Sequence, residues 1–413
     1  MRLRPWMGVS LAVFTAAWGG NEFTPLLVMY RSASHVSAVV VDALLFTYVL
    51  GIVPALLIGG PLSDRFGRRP LMLPSPVIAA LGSALLAAGA HSVPLLALGR
   101  VCSGIALGLA MAVGGSWIKE LSDRDGASAT AGARRAALSL TAGFGLGAAV
   151  AAVLAQWGPW PNQLAYLVNI TMAAVALALL LPTPETRERA VGGRLLDDLK
   201  IPSALEPRFW LQVAPAAPWV FGTCAVAYAV IPALLTAKTS GWPIVFAGAC
   251  CLIGLTAGFF VQTLGRRIDR PGSPRAMVVS MVLVAFGMVL AAVAAKVLTV
   301  PVGLLAAAVL GSGYGMTLIS GLLATQRLAG PNDLAGLTAV FYGLTYLGFA
   351  SPAILAWIHE RYGVSYEAMM LVGAAVALVC LVVVSAGSRG PVAQRLAVGK
   401  RAEEEVVVVE SSR

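Results

Sequence analysis

Residues Gly59–Pro70 read GGPLSDRFGRRP: one acid, three arginines, three glycines and two prolines between two long apolar runs. So short a basic connection between runs of membrane length belongs on the cytoplasmic side, because positively charged loops are retained there. The rest of the chain agrees. Of its 413 residues 58% are hydrophobic and 12% charged, with a mean hydropathy of +0.84. A soluble protein carries about 25% charged residues, so this composition describes an integral membrane protein. The net charge of +10 is not arranged for nucleic acid. The arginines lie between or beyond apolar segments with no aromatic-interleaved patch, which suits topology and contact with anionic lipid.

A membrane span takes about 20 mostly apolar residues. Twelve segments qualify: 6–29, 37–60, 70–90, 94–118, 136–156, 163–182, 211–235, 243–263, 275–296, 301–323, 334–357 and 366–386. Unpaired backbone groups are not tolerated in lipid, so each is expected to be an α-helix. The N-terminal MRLRPWMGVSLAVF imitates a signal peptide, but its apolar run continues to about Tyr30, and it is read as a retained first helix. Of 29 Lys and Arg, 24 fall in the N-terminus, the even-numbered hairpin loops, the central loop and the C-terminal tail. Arg31, Lys238, Lys296 and Arg361 fall opposite, and Arg100 is embedded in segment 4. Both termini are therefore expected to be cytoplasmic, in a bacterial-type plasma membrane.

The chain repeats. GRRP at Gly67–Pro70 is echoed by LGRRIDRP at Leu264–Pro271, again after the second segment of its half, and 265 − 67 gives an offset of 198 residues. The expected organisation is a six-helix bundle over 1–182, a central loop over 183–209, a second bundle over 210–387 and a tail over 388–413. Within the loop, RLLDDLKI could form an amphipathic surface helix. The tail reads as mostly disordered.

The pattern G-x-L-S-D-R-x-G-R-R closely resembles the loop between helices 2 and 3 of the major facilitator superfamily of transporters. The resemblance covers nearly the whole chain and is strongest to the twelve-helix drug:proton antiporter branch. It implies an all-α fold of two six-helix pseudo-repeats, with the substrate bound at the midplane between them. It also implies a conformational latch at Gly60, Asp64, Arg65, Gly67, Arg68 and Arg69, in which Asp64 meets the end of helix 11 in one state and releases it in another.

Ionisable residues inside a span are functional hypotheses by default, because burying one costs about 2.5–3.5 kcal/mol even on insertion scales. Glu22, Asp42 and Arg100 qualify. Each lies five to seven residues from an outer segment end, roughly 8–10 Å deep, so mutual pairing is geometrically open. Arg100 also matches the family's helix-4 motif, here RVCSG at Arg100–Gly104. By resemblance it tunes the proton affinity of a carboxylate, and Glu22 is the expected proton or cationic-substrate site. Around it, WGGNEFTPLL places Gly19, Gly20, Asn21 and Pro25, residues that loosen helical hydrogen bonding at transport sites.

Segment 5 departs from the antiporter pattern G-x-x-x-G-P-x-x-G-G. Gly143 and Gly147 remain, but Ala148 replaces the proline and Ala151 and Ala152 the final glycines. Small residues there, and at Gly104 and Gly108 in segment 4, allow close helix contact, while loss of the proline removes a kink. Trp219, Tyr228, Tyr314, Tyr342 and Tyr346 are candidate cavity aromatics for an amphipathic or cationic compound, and packing is the plainer reading of each one singly. Trp157 and Trp160 read as interface anchors.

Cys102, Cys224, Cys250, Cys251 and Cys380 lie in apolar stretches, and His35, His91 and His359 form no cluster with them, so no metal or other cofactor is expected. There is no Walker, GxSxG or HExxH motif. The expectation is a monomeric, proton-driven exporter of a small molecule acting by alternating access. Uptake of a metabolite on the same fold, or a non-transporting sensor, remains open beside it.

Overall fold

The computed structural model describes residues 4–33, 37–128, 130–187, 200–270, 272–330 and 333–389. Among them the secondary structure is helical, with one isolated bridge between Arg270 and Ser273. Ten helices are long and apolar enough to cross a membrane. They are α2 (Ala38–Phe66), α3 (Arg68–Ala88), α4 (Val93–Arg124), α5 (Ala131–Trp157), α7 (Pro207–Leu234), α8 (Pro243–Ile268), α9 (Arg275–Val297), α10 (Val300–Leu328), α11 (Leu334–Tyr362) and α12 (Tyr366–Gly387). The shorter α6 (Leu164–Leu180) and a first helix in two limbs, α1a (Pro5–Asn21) and α1b (Phe23–Ala33), occupy the remaining two places.

Most helices overrun the apolar segments that announce them. The stretch read as a loop is the clearest case, because α2 continues through Pro61 to Phe66 and the turn proper is Gly67 alone. Gly67 has φ 103°, a value that glycine adopts without the Cβ penalty of other residues. Its N–H bonds back to Ser63 O at 3.0 Å. Hydropathy ends a segment where charge begins, whereas a helix ends where its hydrogen bonds do. The 8–9 connection behaves likewise, with α8 running to Ile268.

The first helix breaks at Glu22. Pro25 has no N–H for the carbonyl four residues earlier, that of Asn21, and its ring crowds that oxygen. Two further irregular turns sit deep in the bundle: π-turns at Ala110–Gly114 in α4 and Val226–Val230 in α7, the second just before Pro232. A 3-10 turn at Leu347–Ala350 interrupts α11 ahead of Pro352.

Packing repeats between the halves. In the first, α2 lies on α4, and a Cβ on Gly108 would sit 2.8 Å from Ile52 O and 2.6 Å from Ala55 Cβ. In the second, α8 lies on α10, where Gly311 and Gly315 face the backbone of Gly254 and Gly258. Contacts this close need small residues, since added bulk in a packed interior costs about 1–3 kcal/mol. The halves meet along α5 against α8 and along α2 against α11. Outward-facing Leu, Val and Phe side chains such as Leu50, Phe260, Val372 and Val382 stay exposed, as a lipid-facing surface requires. Residues 194–199 of RLLDDLKI, His35 and the tail from 390 lie outside the described residues.

Candidate functional site

Where the halves meet, a cavity of about 30 Å³ is lined by Gly20, Asn21 and Thr24 of the broken first helix, by Tyr48 and Arg100, and by residues of the second half. The second half contributes mostly aromatics. Phe221 of α7 stacks between Tyr346 and Phe349 of α11, with ring centroids 4.5 and 4.8 Å away, and lies 6.0 Å from Tyr314 of α10. Tyr48 of α2 meets Tyr346 edge-on at 5.9 Å. These rings leave space for about one water molecule. The centre is therefore occluded.

Arg100 is the one charged residue lining this cavity, and it is buried. Its Nε and Nη1 donate to Leu44 O (3.3 Å) and Gly20 O (3.2 Å). Its guanidinium lies 4.8 Å from the Phe23 ring centroid and 4.7 Å from that of Tyr48, cation–π contacts that offset part of its desolvation. Asn21 bridges helices, donating to Phe144 O at 3.0 Å and accepting from Thr24 Oγ1 at 2.8 Å.

Glu22 is wholly buried and turns away from this cavity. Its Oε1 accepts from Ser83 Oγ of α3 at 3.0 Å and from Asn169 Nδ2 of α6 at 3.4 Å, and Asn169 Nδ2 also donates to Ser83 Oγ at 2.9 Å. Among the described residues Glu22 Oε2 and Asn169 Oδ1 have no hydrogen-bond partner, and the Trp18 indole Nε1, a buried donor equally without one, lies beside Glu22. Depth alone left pairing open among Glu22, Asp42 and Arg100, but the structure joins none of the three directly. Asp42 instead pairs with Arg31, which the sequence placed in a loop and which also reaches Ala229 O across the halves at 3.5 Å. Ser83 and Asn169 were missed. Their signal was weak, since each is one of a few polar residues in an otherwise apolar helix, Ser83 with Ser75 in α3 and Asn169 with Thr171 in α6.

Two larger cavities flank the centre. On the face bearing the basic loops, one of about 310 Å³ is lined by Gly60, Met111, Leu140, Ala339, Tyr342 and other uncharged residues. On the far face, one of about 330 Å³ is lined by Arg31, Asp42, Thr236, Tyr366 and apolar neighbours. Asn21, Tyr228, Tyr314 and Tyr346 thus line the central cavity, and Tyr342 the basic-face one. Trp219 packs against the core of the second half. Gly104 and Gly108 lie on α2, and Gly143 and Gly147 lie on α1a, where a Cβ on Gly147 would sit 2.8 Å from Trp18 Cα.

On the basic face, Arg68 binds Asp64 Oδ1 (2.8 Å), Ser63 Oγ (3.0 Å) and Glu120 Oε1 of α4 (2.9 Å). Asp64 also approaches Arg187 at 3.8 Å, so it meets neighbouring charges. Gly67 leads into two backbone N–H groups, of Arg68 and Arg69, that donate to the Glu185 carboxylate at 3.0 and 2.9 Å. Arg69 Nη2 donates to Leu181 O at 2.6 Å, and Arg65 is half-buried nearby. The second half carries the same pair with its polarity exchanged, Asp269 after α8 binding Arg327 at the end of α10.

A sequence profile of the Major Facilitator Superfamily matches residues 9–352. The chain belongs to that superfamily. It is 25% identical over 389 residues to a chloramphenicol resistance protein of Pseudomonas aeruginosa, covering 91% of this chain and 89% of that protein. It is 29% identical over 143 residues to a bacillibactin exporter of Bacillus subtilis (strain 168), covering 34% of this chain and 36% of that one. Among solved structures, the nucleoside transporter NupG superposes with a TM-score of 0.73 at 14% identity, over 93% of this chain and 99% of that one. The peptide-family transporter PepTSo gives 0.74 at 13%, over 94% and 98%. At such identities the likeness is one of fold. Superfamily membership makes this chain a membrane transporter rather than an enzyme.

Proposed function

We propose that this superfamily member exports a compact aromatic compound, neutral or acidic, in exchange for protons, with the basic face and both termini in the cytoplasm. The observation that carries the reading is the occluded aromatic cavity holding Arg100 and no carboxylate, with a larger cavity closed off on each side. Alternating access requires such a centre. A guanidinium with Nη2 left without a protein acceptor attracts acceptor groups and repels cations. The substrate class proposed therefore moves from the amphipathic or cationic compound expected at first to neutral or acidic ones.

Glu22 carries the exchanged proton on Oε2, and Arg100, bonded to Gly20 O two residues before it, responds to its charge. Only a ligand with different affinity for two states can drive their exchange, and a buried carboxyl with one oxygen unpartnered has that property. Export is also what the name of one relative, the bacillibactin exporter, describes for that protein.

The test measures accumulation of radiolabelled chloramphenicol in energised cells bearing wild type, Glu22→Gln or empty vector. Export lowers accumulation below the empty-vector level, and both a protonophore and Glu22→Gln restore it at matched expression. Accumulation of chloramphenicol equal to empty-vector cells would sink the reading. Accumulation above that level establishes uptake, the direction that the missing helix-5 proline favours.

A further inference from the structure

We propose that protons reach Glu22 from the far face by a route inside the first half, through the paired hydroxyls of Tyr30 and Tyr166, and not through the substrate cavity. This deepens the reading of Glu22 as the proton site and rests on it.

Glu22 presents its carboxyl to α3 and α6, which are not cavity helices, while Arg100 takes the cavity side. Above it, Tyr30 of α1b and Tyr166 of α6 share a buried hydrogen bond at 2.9 Å. Tyr30 also lines a separate pocket of about 30 Å³ with His91 and Ser92, in the turn between α3 and α4. His91 is exposed at its mouth. Val41, Leu44, Ala90, Val93 and Leu96 line most of the pocket, and Tyr30, His91 and Ser92 are its polar members; its volume holds about one water molecule. Tyr166 and Asn169 are three apart and share a helix face, so the line continues from the tyrosines to Asn169, Ser83 and Glu22. Helical side chains lean toward their N-terminus, and α1b and α6 run in opposite senses. Tyr30 therefore leans inward and Tyr166 outward, which is how they meet.

A tyrosine hydroxyl both donates and accepts. Tyr30 Oη accepts a proton from pocket water as it passes its own to Tyr166 Oη, and Tyr166 passes its own inward. No heavy-atom bond changes, and each hydroxyl ends neutral. The last transfer runs from Tyr166 Oη past Asn169 to Glu22 and needs bridging water there. The two unpartnered acceptors, Glu22 Oε2 and Asn169 Oδ1, are what such a donor would satisfy. The proton ends on Glu22 Oε2.

The test is hydrogen–deuterium exchange of the Glu22 carboxyl in reconstituted membranes, followed by infrared spectroscopy of its carbonyl stretch, with Glu22→Gln identifying the band. Tyr30→Phe and Tyr166→Phe keep the rings and are expected to slow exchange about tenfold or more. A bulky thiol reagent on Ser92→Cys, plugging the pocket, is expected to slow it similarly relative to the same variant left unmodified. That arm stands if a phenylalanine variant misfolds. Exchange at the wild-type rate in folded variants overturns the route and leaves Glu22 as the proton site. Loss of no carboxyl band in Glu22→Gln overturns both.

Discussion

The Arg31–Asp42 pair makes a quantitative demand. Their side chains are 17% and 2% exposed, so both charges have left most of their water. At an ordinary charge-assisted contact of about 2.8 Å and an effective dielectric of 20, the gross attraction is about 6 kcal/mol. Desolvation of the two ions offsets much of this, but removing one partner leaves the other buried and uncompensated, at about 3–5 kcal/mol. Arg31 keeps some solvent and the 3.5 Å bond to Ala229 O, which favours the lower end. Asp42→Asn should therefore cost about 3 kcal/mol. At about 2–4 °C per kcal/mol for a bundle of this size, that is a fall of roughly 6–12 °C in Tm. The double variant Arg31→Met/Asp42→Leu should recover most of the loss, because an apolar pair of similar volume has no desolvation to offset. The assay is heating in detergent followed by fluorescence-detected size exclusion, run as a double-mutant cycle. A coupling under about 0.5 kcal/mol would refute the reasoning, since that is what an exposed surface pair gives.

Arg100→Lys should lower transport at least about tenfold without unfolding the protein, because a point charge cannot bond Leu44 O and Gly20 O together as a planar fork does. Proteoliposome flux beside a thermal melt checks it. Gly348→Val should lower expression and Tm through about 1–3 kcal/mol of overpacking, because a Cβ there meets Gly222 N and Pro218 O of α7. Burial raises the Glu185 carboxyl, but backbone N–H groups of Arg187, Arg69, Arg68 and Thr186 outweigh it and hold the carboxyl below the usual glutamate range. A depressed carboxyl contributes stability above its unfolded pKa and loses it as pH falls through the folded value. The segment around Glu185 should thus stay docked at neutral pH and become more open to limited proteolysis in acid or in Glu185→Ala. Exchanging the charges of Asp269 and Arg327 singly should cost about 0.2–1 kcal/mol, with the double exchange restoring it, as a cycle on Tm would read.

Segment positions were legible because hydrophobic length and basic loops are local properties, and the break at Glu22 was announced by Gly19, Gly20 and Pro25. The partners of Glu22 were not. Depth along a helix follows from counting residues, but each residue also turns about 100° around the axis. Glu22, Asp42 and Arg100 share a level and face three directions. Ser83 and Asn169 lie 61 and 147 residues away in sequence, a juxtaposition that only packing creates. The sequence did not single out Phe221 and Phe349, which meet at the central cavity only once both halves are in place. Arg31 was assigned to a loop because the hydropathy of its segment ends just before it, although the helix does not.

The interruption of the first helix sits at the residue proposed to hold the proton. From Glu22 to Arg31 is nine residues, a lever of about 14 Å. A change of about 10° at its fulcrum carries the tip about 2.4 Å, enough to part Arg31 from Ala229 O. One torsion thus links the charge at Glu22 to the seam between the halves, so titrating that carboxyl and opening the far face share a single coordinate.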